Sequence, residues 1–240
     1  MILTELKNKV NLAEQSCLFI IAHGRSGSTL LLRILNSLPG YNICGENWGA
    51  FAGLSNFYTN ILKTKNSNEF IGEKEYSENC VKPSWFNVFD IESVKNDLRV
   101  LIKNMYNPRD EFTVWGFKEI RFGLNVSFEN FKSQLEFLKK LFPKSKFIFN
   151  VRSIDELIAS MSNHEWIKHD SWWNNPQRTE KILVTQKSHF EKYYQTNPDY
   201  CYLVSYEDVL GKNDRFHNLF KFLDTDYNTE QIQDIIGIRL

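Results

Sequence analysis

The chain has 240 residues, 42% of them hydrophobic and 15% aromatic, with 29 Lys plus Arg against 29 Asp plus Glu. That length suits one sizeable α/β domain, and the composition suits an ordinary globular core. The even charge balance excludes a global field for nucleic acid or a membrane surface, while leaving room for a small acidic ligand in a local basic pocket.

In chain order, the opening stretch MILTELKNKVNLAE holds no apolar region long enough for a signal peptide, and no later run reaches transmembrane length. The expectation is a cytoplasmic chain without a membrane span. Leu3, Leu6 and Val10 stand at helical spacing and predict a short amphipathic helix over 2–14. Next comes the apolar run Cys17-Leu18-Phe19-Ile20-Ile21, which reads as a strand, followed by AHGRSGSTLLLRILNSLPG at 22–40. A strand that enters a glycine-containing turn and then a Leu-rich helix builds an anion cradle, because backbone N–H groups and a helix N-terminus converge with Arg25 beside them. A Walker A loop needs Gly, four residues, then Gly-Lys-Ser/Thr. Aligned on Gly27-Ser28-Thr29, the lysine position holds Ser28 and the first glycine position holds Ala22. The cradle suits a phosphate, but not the triphosphate of ATP.

Further extended segments are predicted at 112–120, 146–152 and 200–206, with Cys17 and Cys201 as buried free thiols in their strands. Cys44 and Cys80 complete a scattered set with no CxxC and no paired His, so neither zinc nor a redox dithiol is indicated and no metal is expected. Between the strands lie helical stripes: Ile91, Val94, Leu98, Leu101, Ile102 and Met105; Phe128, Phe131, Leu135, Leu138 and Phe142; and Phe216, Leu219, Phe220 and Leu223. Residues 48–90 lack a clear period and read as a loop-rich insertion, with 48–110 as a loop-rich or helical cover of the site rather than a second domain. Lys132, Lys139, Lys140, Lys144 and Lys146 read as a solvated helix face. Strands alternating with helices predict a three-layer α/β fold, P-loop-like, with a mostly parallel sheet of four to five strands. Ligands of such sheets bind outside the carboxyl ends of the strands.

A second anion site is predicted in LFPKSKFIFNVRSIDELIASM, 141–161. The strand ends in Arg152, and Ser153 stands three residues before Glu156, the spacing of a capping box. Ile154, Leu157, Ile158 and Met161 form the buried stripe of the helix that follows. At about 100° per residue, Ser160 returns to the flank of Ser153, so Arg152 and Ser160 can meet one anion. Two such units in one sheet point to a ligand with two separated anionic groups.

With both segments in view, the chain resembles the sulfotransferases that use 3′-phosphoadenosine 5′-phosphosulfate (PAPS). HGRSGST is similar to their 5′-phosphosulfate loop, and FIFNVRSIDELIAS to their 3′-phosphate segment, an arginine followed eight residues later by a serine. RSGST, CGE at 44–46, the LFPxSKF–VR run and the pair Tyr206-Glu207 resemble the tyrosylprotein and heparan-type branch most. The resemblance spans residues 17–210. It implies that Arg25, Ser26, Gly27, Ser28 and Thr29 contact the 5′ side of the nucleotide, that Arg152 and Ser160 hold the 3′-phosphate, and that Tyr206 lies near the nucleotide. It makes Glu46 the general base and Lys118, in GFKE, the catalytic lysine. The implied reaction moves a sulfuryl group from PAPS to a hydroxyl or amine acceptor and releases 3′,5′-ADP.

Such a transfer demands in-line geometry, neutralised charge and an activated acceptor. Arg25 and Lys118 are expected to stabilise the sulfonate and the leaving oxygen, and Glu46 to take the proton. His23, His164 and His169 are rivals for the base. Trp166, Trp172 and Trp173 either stack on an acceptor or pack as a lid or core. The basic C-terminal segment of the cytosolic small-molecule enzymes has no counterpart, nor does the disulfide pattern of the tyrosylprotein enzymes. The acceptor class therefore stays open among polysaccharide, tyrosine peptide, lipid and small metabolite. A small-molecule kinase and a nucleotide-binding module without activity are the competing readings; the absent Walker lysine weighs against the first, and Glu46 with Lys118 against the second.

Overall fold

Alternation of side chains decides how this chain layers. A computed structural model describes residues 12–75, 90–106, 108, 111–162 and 175–238, with backbone alone for 66–75. Strand β1 (Ser16–Ala22) is buried from Cys17 onward. Its odd residues Cys17, Phe19 and Ile21 join an aromatic cluster on one face, and its even residues Leu18 and Ile20 join an aliphatic cluster on the other. A strand buried on both faces cannot alternate apolar with polar, so it reads as a continuous apolar run.

The other strands are β2 (Tyr41–Cys44), β3 (Val114–Glu119), β4 (Lys146–Val151) and β5 (Cys201–Ser205). All pair in parallel in the order β2-β3-β1-β4-β5. The chain leaves β1 toward β2, whereas from β3 it passes to the opposite side of β1 to form β4. Crevices therefore open on both flanks of β1 at the carboxyl ends of the strands. Register aligns those ends: Ile20 pairs with Lys118, Ile21 with Glu119 and Ala22 with Asn150.

Helices cover both faces. On the aliphatic side lie α1 (Ser28–Asn36), α7 (Tyr206–Gly211), α8 (Asp214–Leu223) and α9 (Thr229–Gly237). On the aromatic side lie α2 (Ala50–Glu75), α3 (Ile91–Tyr106), α4 (Phe128–Leu141) and α6 (Pro176–Thr196), with α5 (Ile154–Ser162) packed on α6. Phe19, Phe117, Phe147 and Phe149 are fully buried there. Each such side chain contributes about 1.5–3 kcal/mol of apolar burial.

Several expectations need correction. Strand β2 is the fifth strand, too short to stand out as an extended run. Residues 50–75 form one helix, not loops; Phe51, Ser55 and Tyr58 are buried and Leu54 and Leu62 half-buried along it, a helical stripe thinned by small and polar residues. On α3 only Leu98 and Ile102 of the predicted stripe are buried; Leu101 and Met105 are exposed, and Arg99 is buried instead, donating to Leu141 O at 2.6 Å. Lys139 and Lys146 are not simply solvated, since their ammonium groups donate to Ser145 O and Phe222 O. The lead-in helix lies outside the described residues except for a 3-10 turn at Leu12–Glu14. Cys17, Cys44 and Cys201 are free thiols, the first and last of them buried. Among the described residues, no helix is long and apolar enough to cross a membrane.

Candidate active site

The loop after β1 is shaped by two left-handed residues, Arg25 (φ 68°) and Gly27 (φ 75°). Backbone of this kind turns successive N–H groups toward one side and makes an anion nest. Gly27 is demanded twice over: its φ suits glycine, and a Cβ there would stand 2.2 Å from Tyr206 Cδ2. Helix α1 begins at Ser28 with no side-chain cap, so its first N–H groups and its positive dipole end are left for an anion. Ser26 turns the other way. It is fully buried, and its hydroxyl lies 2.8 Å from His23 O and 2.9 Å from Asn150 Oδ1, donating its one proton to either and fastening the loop to β4 rather than facing the cavity.

Arg152 emerges from the end of β4 beside this loop. Its Nη1 donates to Arg25 O at 3.3 Å, and its guanidinium carbon lies 4.4 Å from the Tyr206 ring centroid. Arg25 Nε in turn donates to Ser160 Oγ at 3.3 Å. Tyr206 is held where α7 starts by a reciprocal capping box between Ser205 and Asp208. Arg25, Gly27, Arg152, Ser160 and Tyr206 are thus brought together from four elements. The capping box expected between Ser153 and Glu156 does not form. Glu156 instead closes on Arg152 at 2.7 Å, because a charged guanidinium outcompetes a neutral amide for a carboxylate, and Ser153 N–H donates to Glu207 Oε1.

The third contribution comes from β3. Lys118 is only 6% exposed and its ammonium pairs with Glu46 Oε1 at 2.5 Å. Glu46 Oε2 pairs with Arg121 at 3.0 Å, so one carboxylate bridges two cations. Arg121 also lies 4.2 Å from the Trp48 ring centroid, and Trp48 is 81% exposed. Sequence reasoning missed Arg121, Trp48 and the buried Glu119 between Lys118 and Arg121. Their only signal was closeness to Glu46 and GFKE, since pairing of 46–49 with 118–121 needs the sheet.

A cavity of about 860 Å³ gathers Arg25, Gly27, Ser28, Thr29, Glu46, Lys118, Arg152 and Tyr206. Leu30, Trp48, Ile120, Leu210, Ile236 and Ile238 supply its apolar wall. His23 is fully buried, packs 5.1 Å from the Phe190 ring centroid and does not line the cavity; burial and nearby Lys187 push its pKa down to about 3. His164, His169, Trp166, Trp172 and Trp173 lie outside the described residues.

A five-stranded parallel sheet, a glycine-containing loop opening its first helix and cations converging at the strand ends define a P-loop-like α/β protein. The chain matches the sulfotransferase family over residues 17–229 and belongs to it. The fold is similar to that of the sulfotransferase domain from the curacin biosynthetic pathway, with a TM-score of 0.53 and 20% identity over 90% of this chain and 76% of that one. A sulfotransferase from Alicyclobacillus acidocaldarius is a more distant likeness, at TM-score 0.49 and 10% identity over 90% of this chain and 87% of that one. No curated protein matches the sequence. The tyrosylprotein and heparan-type branch is not singled out by these likenesses.

Proposed function

We propose that this chain transfers a sulfuryl group from PAPS to a hydroxyl or amine acceptor and releases 3′,5′-ADP. The observation that carries the reading is the meeting, in one cavity, of two cations from different strand ends, Arg25 after β1 and Arg152 after β4, with a Glu–Lys pair. A donor bearing a 5′-phosphosulfate and a 3′-phosphate matches two anchors. The uncapped start of α1 with Gly27 and Arg25 suits the first group and Arg152 the second; Ser160, expected beside Arg152, instead accepts from Arg25 Nε and does not line the cavity. Arg152 is held by Glu156, whose side chain is 54% exposed, so an incoming phosphate displaces a partner that water already solvates.

When bound, the donor supplies an activated sulfonate whose bond to the 5′-phosphate oxygen breaks as the acceptor oxygen or nitrogen bonds to sulfur. Lys118 and Arg25 neutralise the sulfonate and the leaving oxygen, in a recess where such charges act strongly. A sulfonate near Lys118 competes with Glu46 for the ammonium, and Glu46 is then free to take the acceptor's proton. Arg121 keeps Glu46 oriented through that exchange.

Thermal shift tests the donor reading. Ligands that bind only the folded state raise its stability with the logarithm of concentration over Kd. Stabilisation by 3′,5′-ADP and none by ATP with magnesium is expected; the reverse pattern sinks the proposal.

A further inference from the structure

At the end of β3, Lys118 and Glu119 turn to opposite faces of the sheet. Glu119 is fully buried, where an unmet carboxylate is costly. Backbone amides meet it: Oε2 accepts from Asn47 N–H at 2.9 Å and Gly49 N–H at 3.1 Å, and Oε1 from Ile120 N–H at 2.9 Å and Arg121 N–H at 3.0 Å. Amides two residues apart converging on one oxygen form an anion nest, filled here by the chain's own side chain. The turn inside it is strained, with Trp48 at φ 58° and its indole exposed. A bulky residue in that region persists only where its surroundings over-determine it. On the other side, the backbone held by Oε1 carries Arg121, whose guanidinium pairs with Glu46. Glu119 therefore grips Glu46 from both flanks, through the 47–49 turn that follows it and through the arginine that pairs with it.

We propose that Glu119 is a positioning residue, which sets the Glu46 carboxylate against Lys118 without touching substrate; the inference rests on Glu46 being the base. Glu119→Gln is isosteric but turns an amide NH2 toward two N–H donors. In that variant, hydrogen exchange at the Asn47 and Gly49 amides should accelerate about tenfold to a hundredfold while β1 and β4 stay protected. Release of labelled sulfate from PAPS, with water as acceptor, should lose about 100-fold in kcat, as a displacement near 1 Å does. The Kd for 3′,5′-ADP should not change. Glu119→Asp keeps the charge with a shorter reach and should recover part of both losses; it carries the same two measurements should the glutamine variant fail to fold.

Parent-like exchange at Asn47 and Gly49 would remove the clamp. A parallel fall of kcat, nucleotide affinity and melting temperature would reduce Glu119 to a structural role, and so overturn the proposal. A parent protein that binds no 3′,5′-ADP sinks the donor reading instead, and exchange at the two amides still decides on the clamp.

Discussion

Replacing Arg152 by alanine removes a guanidinium that touches Glu156, Arg25 O and the Tyr206 ring in the free protein. A hydrogen bond between charged partners is worth about 1.5–3 kcal/mol. Binding of a 3′-phosphate must first displace Glu156, and a half-exposed ion pair of that kind is worth no more than about 1 kcal/mol. The net loss on substitution is therefore about 0.5–2 kcal/mol, or roughly 2- to 30-fold in Kd. Calorimetry with 3′,5′-ADP and with 5′-AMP measures it, because the two ligands differ in the group that Arg152 is assigned. The parent should prefer the bisphosphate, and Arg152→Ala should lose that preference while binding 5′-AMP as before. An equal loss for both nucleotides, or no loss for either, refutes the assignment. Glu156→Gln should strengthen 3′,5′-ADP binding by removing the competitor, a change of opposite sign in the same titration.

Other residues give independent checks. Glu46→Gln should lower turnover by about 10²- to 10⁴-fold, the usual contribution of a general base, and leave nucleotide affinity unchanged or tighter, since Lys118 is then less neutralised; surviving turnover would move the base elsewhere. Ser26→Ala leaves Asn150 Oδ1 without its donor in a buried setting and should cost about 1–3 kcal/mol in urea unfolding, so an unchanged midpoint contradicts the fastening role. Gly27→Ala forces a left-handed alanine, about 1–2 kcal/mol, and drives Tyr206 away; 3′,5′-ADP binding should suffer beyond the loss of stability. His23 binds its proton in the unfolded chain near pH 6.5 but in the fold only near pH 3. Between those values the unfolded state holds more protons, so stability is intact above about pH 6.5 and falls as the pH drops. His23→Phe should flatten that part of the urea-midpoint profile, and an unaltered profile counts against it.

Much of the cavity wall contributed by the loops after β1 and β4 was readable because its signals are local. HGRSGST lies in one strand–turn–helix unit, and Arg152 and Ser160 share another, so spacing alone puts Arg25 and Arg152 at strand ends and Ser160 two turns along the helix that follows Arg152. The same locality misled at Ser153, where capping-box spacing is present but Arg152, one residue earlier, takes the carboxylate. It failed for α2, whose stripe of Phe51, Leu54, Ser55, Tyr58 and Leu62 is interrupted by polar residues that dilute an apolar period. Leu101 and Met105 kept the period on α3 and still face solvent, since burial depends on which helix arrives opposite.

Order along the chain by itself determined the layered α/β class, four of the five strands and the placing of Arg25 and Arg152 in the loops after β1 and β4, because each depends on contacts within a few residues. Glu119, Arg121 and Trp48 became part of the site only through the sheet. Parallel pairing brings residues 46–49 to 118–121 across some seventy positions of chain, and no periodicity encodes which loops a crossover will leave adjacent. The inward turn of Ser26 and the burial of His23 were decided the same way, by the Asn150 side chain and the Phe190 ring that tertiary packing placed against them.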